Sequence, residues 1–260
     1  MLSLVPRHRW STLMRTLVEL PVAVGRHPQE APLGWLLRTA IANDLSMPEL
    51  LGLLGARGLR DVDVRRTGLW VSDEGEREMD GCGASGETLR YLGQLIWPPF
   101  LLRLKRPQIC VRCIDESGFC HAVWEFSCFC VCTAHECRLV DRCARCGRGL
   151  RWFRPALDVC DCGAYLRDDG HGPPESEAVL FASEVLARSC SGASGRATVG
   201  DFSFLEAFPW WRSISLSGLM QIVLAFGVQT SSKPPSWGAL HRTSTQGWAE
   251  LVSRALKRLR

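Results

Sequence analysis

Apolar positions first fall into a helical rhythm at residue 33. Leu33, Leu36, Leu37, Ala40 and Ile41 recur at three-to-four spacing, with Trp35 at the edge, and predict a helix over 33–43. Ser46-Met-Pro-Glu49 reads as a capping box, and Pro48 is tolerated in a first turn. Leu50, Leu51, Leu53 and Leu54 continue that second helix until Gly55 stops it. Leu89, Tyr91, Leu92 and Leu95 predict a third helix over 87–95, and the three together suggest a helix-turn-helix-like domain. The polar positions of that third helix, Glu87, Thr88, Arg90 and Gln94, are a poor set for reading base edges. Short strands are expected over 67–72 and 119–126, the latter from Val123, Trp124 and Phe126, and residues 17–24 suit a strand or a packed strap.

Beyond residue 175 the pattern is helical again, over 177–188, near 202–208, over 216–226 and over 247–260. The last of these places Trp248, Leu251, Val252, Ala255, Leu256 and Leu259 on one side, with Arg254, Lys257, Arg258 and Arg260 opposite. Breaks punctuate the chain. Pro21, Pro28 and Pro32 make residues 1–31 an arm, 73–85 is acidic then glycine-rich, and Trp97-Pro98-Pro99 closes the third helix. Residues 167–177 are a linker by composition, and 189–200 and 230–236 are loops. These breaks divide the chain into 1–105, 106–166 and 167–260.

The middle division carries the chemistry. Cys110-Val-Arg-Cys113 is followed by Cys132-Thr-Ala-His135, and Cys143-Ala-Arg-Cys146 by Cys160-Asp-Cys162. Two thiolates two residues apart grip one tetrahedral ion from a single turn, and a second pair returning at ribbon distance completes four ligands. Two such sets predict two structural Zn2+ ions. Cys120, Cys128, Cys130 and Cys137 compete for the first set. Cys132 with His135 is preferred because its spacing mirrors Cys110/Cys113, and His121 reads as an ordinary strand residue. Buried free cysteine otherwise packs as a small apolar residue. Cys82 and Cys190 have no assigned role. The fold expected is therefore mainly α with small zinc-ribbon β elements: a helix-turn-helix-like N-terminal domain, a central double zinc knuckle and a C-terminal helical region.

Each set closes at four ligands, whereas a catalytic zinc keeps a position open. There is no HExxH, no deaminase-type HxE with PCxxC, no Walker A loop and no GxSxG elbow, so no enzyme is expected. An odd count of 13 cysteines with CxxC pairing argues for a reducing cytoplasm rather than a disulfide framework. Arginines and a histidine interrupt the N-terminus, so it does not read as a signal peptide. The apolar run 214–228 is too short to span a membrane, so no membrane partner is expected. The net charge of +4 permits nucleic-acid contact without arguing for it. More pointed is a row at intervals of three, Arg142, Arg145, Arg148, Arg151 and Arg154, with Trp152 interleaved. That pairing suits a phosphate backbone with stacked bases, or an acidic protein surface.

Several motifs in order resemble the TniQ family of transposition proteins. They are Arg26-His-Pro-Gln-Glu30, Leu33-Gly-Trp-Leu-Leu-Arg-Thr-Ala40, Asn43-Asp-Leu-Ser46, the first cysteine set with Asp115-Glu-Ser-Gly118 and Trp124, Cys143-x-x-Cys146-Gly147, Cys160-x-Cys162-Gly163 and Gly247-Trp-Ala-Glu-Leu251. The likeness covers 26–163 well and 175–260 loosely. Val111 and Ala144 stand where the family usually has proline. The resemblance implies a cytoplasmic bacterial adaptor without catalysis. Such a protein links a target selector, either an RNA-guided CRISPR effector or target DNA, to a TnsC-like AAA+ regulator that recruits the transposase. DNA or guide RNA would then be contacted. A stand-alone zinc-dependent DNA-binding regulator is the alternative.

Overall fold

The computed structural model describes residues 20–56, 89–91, 94–96, 101–167, 174, 176–190, 213–228, 240 and 242–260. The expected strand over 67–72, the loops over 73–85, 191–200 and 230–236, the helix near 202–208 and Cys82 lie outside them.

Helix α1, Pro32–Ala42, has proline in its first turn and no side-chain cap. Its start is held tertiarily instead, by Ala31 N–H donating to the Cys120 carbonyl at 2.8 Å and Ala122 N–H to that of Gln29 at 2.7 Å. Glu30 is buried and paired with Arg38 at 2.6 Å, so the strap before the helix is pinned by charge as well. Gly34 lies where the helix meets the cysteine-rich centre. A Cβ there would sit 2.9 Å from Cβ of Cys120, closer than carbon atoms pack. Helix α2, Met47–Leu53, starts with the full Ser46–Glu49 capping box, and Gly55 ends it in a left-handed conformation.

The expected third helix is not formed. Leu89–Tyr91 (β1) and Gln94–Ile96 (β2) pair as an antiparallel hairpin, with Tyr91 opposite Gln94. The apolar positions fit both periods over so short a run, and Gly93 costs a helix about 1 kcal/mol relative to alanine. Tertiary anchoring decides the matter. Tyr91 is fully buried, its hydroxyl donating to the Glu125 carboxylate and lying 3.2 Å from the Ala122 carbonyl oxygen. The helix-turn-helix-like reading therefore loses its recognition element.

Between residues 107 and 166 regular structure is sparse. Helix α3 spans Val111–Ser117, a 3-10 turn spans Ala122–Glu125, and β3 (Val131–Cys132) pairs with β4 (Cys137–Arg138). The expected strand over 119–126 is thus a 3-10 turn, flanked by single bridges from Glu30 to His121 and from Leu102 to Phe126. Tight turns bury the consecutive residues Val123, Trp124, Glu125 and Phe126, which the alternation of a strand with one buried face would forbid.

Helices α4 (Ser176–Cys190), α5 (Leu216–Gly227) and α6 (Thr245–Leu259) pack on one another, α4 also on β3 and α5 on β2. The amphipathic pattern of α6 is realised, with Trp248, Val252 and Ala255 buried and Arg254, Lys257 and Arg258 exposed. A buried polar knot joins α6 to the centre. Arg103 donates to Gln108 Oε1 at 2.9 Å, Thr245 Oγ1 at 3.0 Å and Asp141 Oδ2 at 2.8 Å. Thr245 N–H also donates to Asp141, at 2.9 Å. Gln108 Nε2 reaches the carbonyls of Trp124, Phe126 and Phe129, fastening a loop that makes few ladder bonds of its own.

Glu125 is fully buried, and that burial pushes its carboxyl up to about 8, against the smaller opposing effect of the Tyr91 hydrogen bond. Its Oε1 has no hydrogen-bond partner among the described residues, which suits a protonated acid. A folded-state pKa raised above the unfolded value means the folded state holds the proton longer. Stability from this group is present below the unfolded pKa of about 4.5 and is lost as pH rises toward about 8. Chemical denaturation between pH of about 6 and about 8 is expected to show falling stability, and Glu125→Gln to flatten that slope. An unchanged slope in the variant would contradict the assignment.

Candidate metal centres and the arginine row

Each ligand turn is built from local sequence. Cys110 caps α3 and Cys113 lies in its first turn, so the helix sets their spacing. Cys132 and His135 sit on the β3–β4 hairpin, whose tip turns through Glu136 in a left-handed conformation. In the second set, Gly147 and Gly163 each follow the last cysteine of a turn with positive φ, and each N–H returns to the leading cysteine carbonyl. Glycine at those positions lets the chain double back within one ligand pair.

The eight residues expected as ligands gather into the two expected groups, Cys110/Cys113/Cys132/His135 and Cys143/Cys146/Cys160/Cys162. Within each group the donor atoms all lie within 4.8 Å of one another. In the first, Cys113 Sγ lies 3.4 Å from Cys132 Sγ and 3.2 Å from His135 Nδ1, and Nδ1 lies 3.5 Å from Cys110 Sγ and 3.6 Å from Cys132 Sγ. In the second, Cys143–Cys162 and Cys146–Cys160 are each 3.8 Å apart. Four sulfurs about 2.3 Å from a tetrahedral ion are about 3.8 Å apart, so these sets fit one ion each. The same distances are far too long for disulfides, whose sulfurs lie about 2.05 Å apart.

The crowded donor thiols split: Cys113 is held up by its hydrogen bond with Cys110 and Cys160 by burial, while others are drawn toward the thiolate. The Cys110 thiol is pulled down to about 7, first by its hydrogen bond with Cys113. That of Cys146 is pulled down to about 6, first by the Arg148 side chain. Glu116 receives Nε2 of His135 at 2.9 Å and raises that imidazole to about 9, leaving Nδ1 aimed at the sulfurs. A carboxylate behind a histidine fixes ring orientation and tautomer at metal sites. Binding an ion at Nδ1 would release a proton there, while Nε2–H keeps Glu116.

The remaining cysteines sort by burial. Cys120, Cys128 and Cys130 are core residues, and burial drives the thiols of Cys120 and Cys128 up, Cys120 to about 12. Cys190 is the last residue of α4 rather than a loop residue. His121 lies outside both donor groups. Cys137 lies beside the first group, its Sγ 3.7 Å from that of Cys110, but is not one of its four donors. Counting CxxC pairs could not find it. The hairpin register could, since it sets Cys132 opposite Cys137.

The arginine row divides. Arg142, Arg145, Arg148 and Arg151 are exposed, but Trp152 is 1% exposed and Arg154 is 5% exposed. Those two are corrected from contact residues to core. Trp152 donates from Nε1 to the Leu104 carbonyl at 2.8 Å and packs near Gly34. The Arg154 guanidinium stacks 5.3 Å over the Trp152 ring and donates to the carbonyls of Arg151 and Ala156. A period of three puts successive residues on one side of a helix, but no helix runs here. Arg148 and Arg151 both pair with Asp161, between the two cysteines of the second set's closing turn.

The TniQ family model matches residues 21–139, from the strap before α1 through the first donor set. Over those residues the chain is similar to the TniQ family. The second donor set and the C-terminal helices lie beyond its end. No curated protein and no solved structure matches the chain. Among the described residues no helix is long and apolar enough to cross a membrane.

Chelation of purified protein is expected to collapse the near-ultraviolet dichroism of Trp124 and Trp152, because the donor sets hold a region with few ladder bonds. An unchanged signal after complete metal removal would contradict this. Trp152→Ala is expected to cost about 3–5 kcal/mol in chemical denaturation, as for other buried aromatics. Arg145→Ala is expected to cost no more than about 0.5 kcal/mol.

Proposed function

We propose that the protein is a non-catalytic adaptor in DNA transposition, with two structural Zn2+ ions bracing its centre. It links a target selector, an RNA-guided CRISPR effector or target-site DNA, to a TnsC-like AAA+ regulator that recruits the transposase. The observation that carries this reading is the TniQ match over 21–139. Two four-donor sets support a structural role for the metal, since each offers a complete tetrahedral shell. The assignment to a bacterial cytoplasm follows from the same reading. The contact surface is proposed to include exposed Arg142 and Arg145 beside the second set, with Arg148 and Arg151 partly engaged by Asp161.

The experiment is co-purification of full-length protein with a TnsC-like regulator in the presence of ATP and with an RNA-guided effector bound to guide RNA. Stable association with the regulator and with a selector is expected. Arg142→Glu with Arg145→Glu is expected to weaken selector or nucleic-acid association at least tenfold while leaving metal content unchanged. Binding to neither partner, together with a preferred DNA sequence recovered by selection, would favour the stand-alone regulator instead.

A further inference from the structure

Cys137 places a further thiol beside the first centre. Three sulfurs, those of Cys110, Cys113 and Cys132, all lie within 4.8 Å of one another. His135 Nδ1 completes one set of four with them, at 3.2, 3.5 and 3.6 Å. The Cys137 thiol approaches the same trio from the opposite strand of the hairpin. Its Sγ lies 3.7 Å from Cys110 Sγ, and the strand register sets the residue opposite Cys132. That 3.7 Å is close to the edge of about 3.8 Å expected between two thiolates on one zinc ion. The imidazole completes the three thiols in this structure, and Cys137 stands as a fourth thiol one such edge from Cys110.

The backbone makes both donors available without refolding. Cys137 is held in strand register opposite Cys132, whereas His135 sits at the hairpin tip and is steadied by exposed Glu116. The TniQ resemblance uses the histidine and gives Cys137 no role. Burial offers no competing account, since Cys137 is half-exposed while Cys120, Cys128 and Cys130 pack in the core.

We infer that Cys137 is an alternative ligand that replaces His135 at the first metal centre, giving that centre an all-thiolate form. The exchange is balanced: Cys137 gives its thiol proton to solvent as it binds, and the released imidazole takes up a proton. The inference rests on the proposal that the donor sets hold metal. An all-thiolate shell carries one more negative charge than the histidine form, balanced by the protonated His135, so the exchange moves charge within the hairpin without changing its sum.

The test uses full-length protein loaded with Co2+, whose thiolate charge-transfer absorption scales with the number of bound thiolates. His135→Ala and His135→Asn are expected to keep two ions per chain. If His135 is the ligand in the unaltered protein, their thiolate signal is expected to rise from seven thiolates to eight, three plus Cys137 at the first set and four at the second. An eight-thiolate signal already in the unaltered protein that drops by one in Cys137→Ser would equally establish Cys137 as a ligand. Adding Cys137→Ser to either His135 variant is expected to lose one ion or return the signal to seven. Loss of an ion in the single His135 variants, or a seven-thiolate signal in them, would overturn the inference while leaving the metal reading intact. Fewer than two ions in the unaltered protein would overturn both.

Discussion

Convergence of eight sulfur and nitrogen donors into two tight groups is the constraint on which the centre of this protein depends. From residue 107 to 166 the chain forms one seven-residue helix, a 3-10 turn and a hairpin of two-residue strands. Such a segment gains little from backbone ladders and must be fixed by cross-links of another kind. With a metal ion bound, the donor sets would supply them, since they draw together turns about 20 residues apart in sequence. Everything else leans on the result. Helix α1 rests on Cys120 through Gly34, the β1–β2 hairpin hangs from Glu125 through Tyr91, and α6 is tied in by Arg103, Gln108 and Asp141.

Much of this was legible in the residues. The eight donors are readable because ligand spacing is a local property: a Cys-x-x-Cys turn and a following glycine work almost regardless of what surrounds them. The Ser46–Glu49 box is local in the same sense, and so is the amphipathic run of α6. What could not be read depends on distant partners. The run from Leu89 to Ile96 carries apolar residues compatible with helix or strand, and a buried carboxyl more than thirty residues away selects the hairpin. Trp152 and Arg154 look like a contact surface beside a basic row. Yet Trp152 finds the Leu104 carbonyl and Arg154 stacks on the Trp152 ring. A repeat of three arginine positions says nothing about burial when the backbone is irregular.

The charge on the second knuckle also takes on a double use. Asp161 draws Arg148 and Arg151 onto the turn that presents Cys160 and Cys162, so those arginines serve the fold of the turn as well as its potential. Arg145 has no such ion pair among the described residues and is the cleaner probe of a contact surface. The first knuckle has a comparable arrangement in reverse sign, with Glu116 behind His135. In both, an ionic side chain outside the donor set orients the residues that make it.

The central claim is that bound metal, through these donor sets, orders the middle of the chain and with it the docking of α1 and α6. Amide hydrogen exchange read by mass spectrometry, on full-length protein before and after metal removal, tests it most directly. The account predicts that removal abolishes protection across 107–166 first and loosens the amides of 29–34 and 244–248 with it, while the capped turn at 46–50 keeps its local protection. Protection that persists across 107–166 in metal-free protein would contradict it.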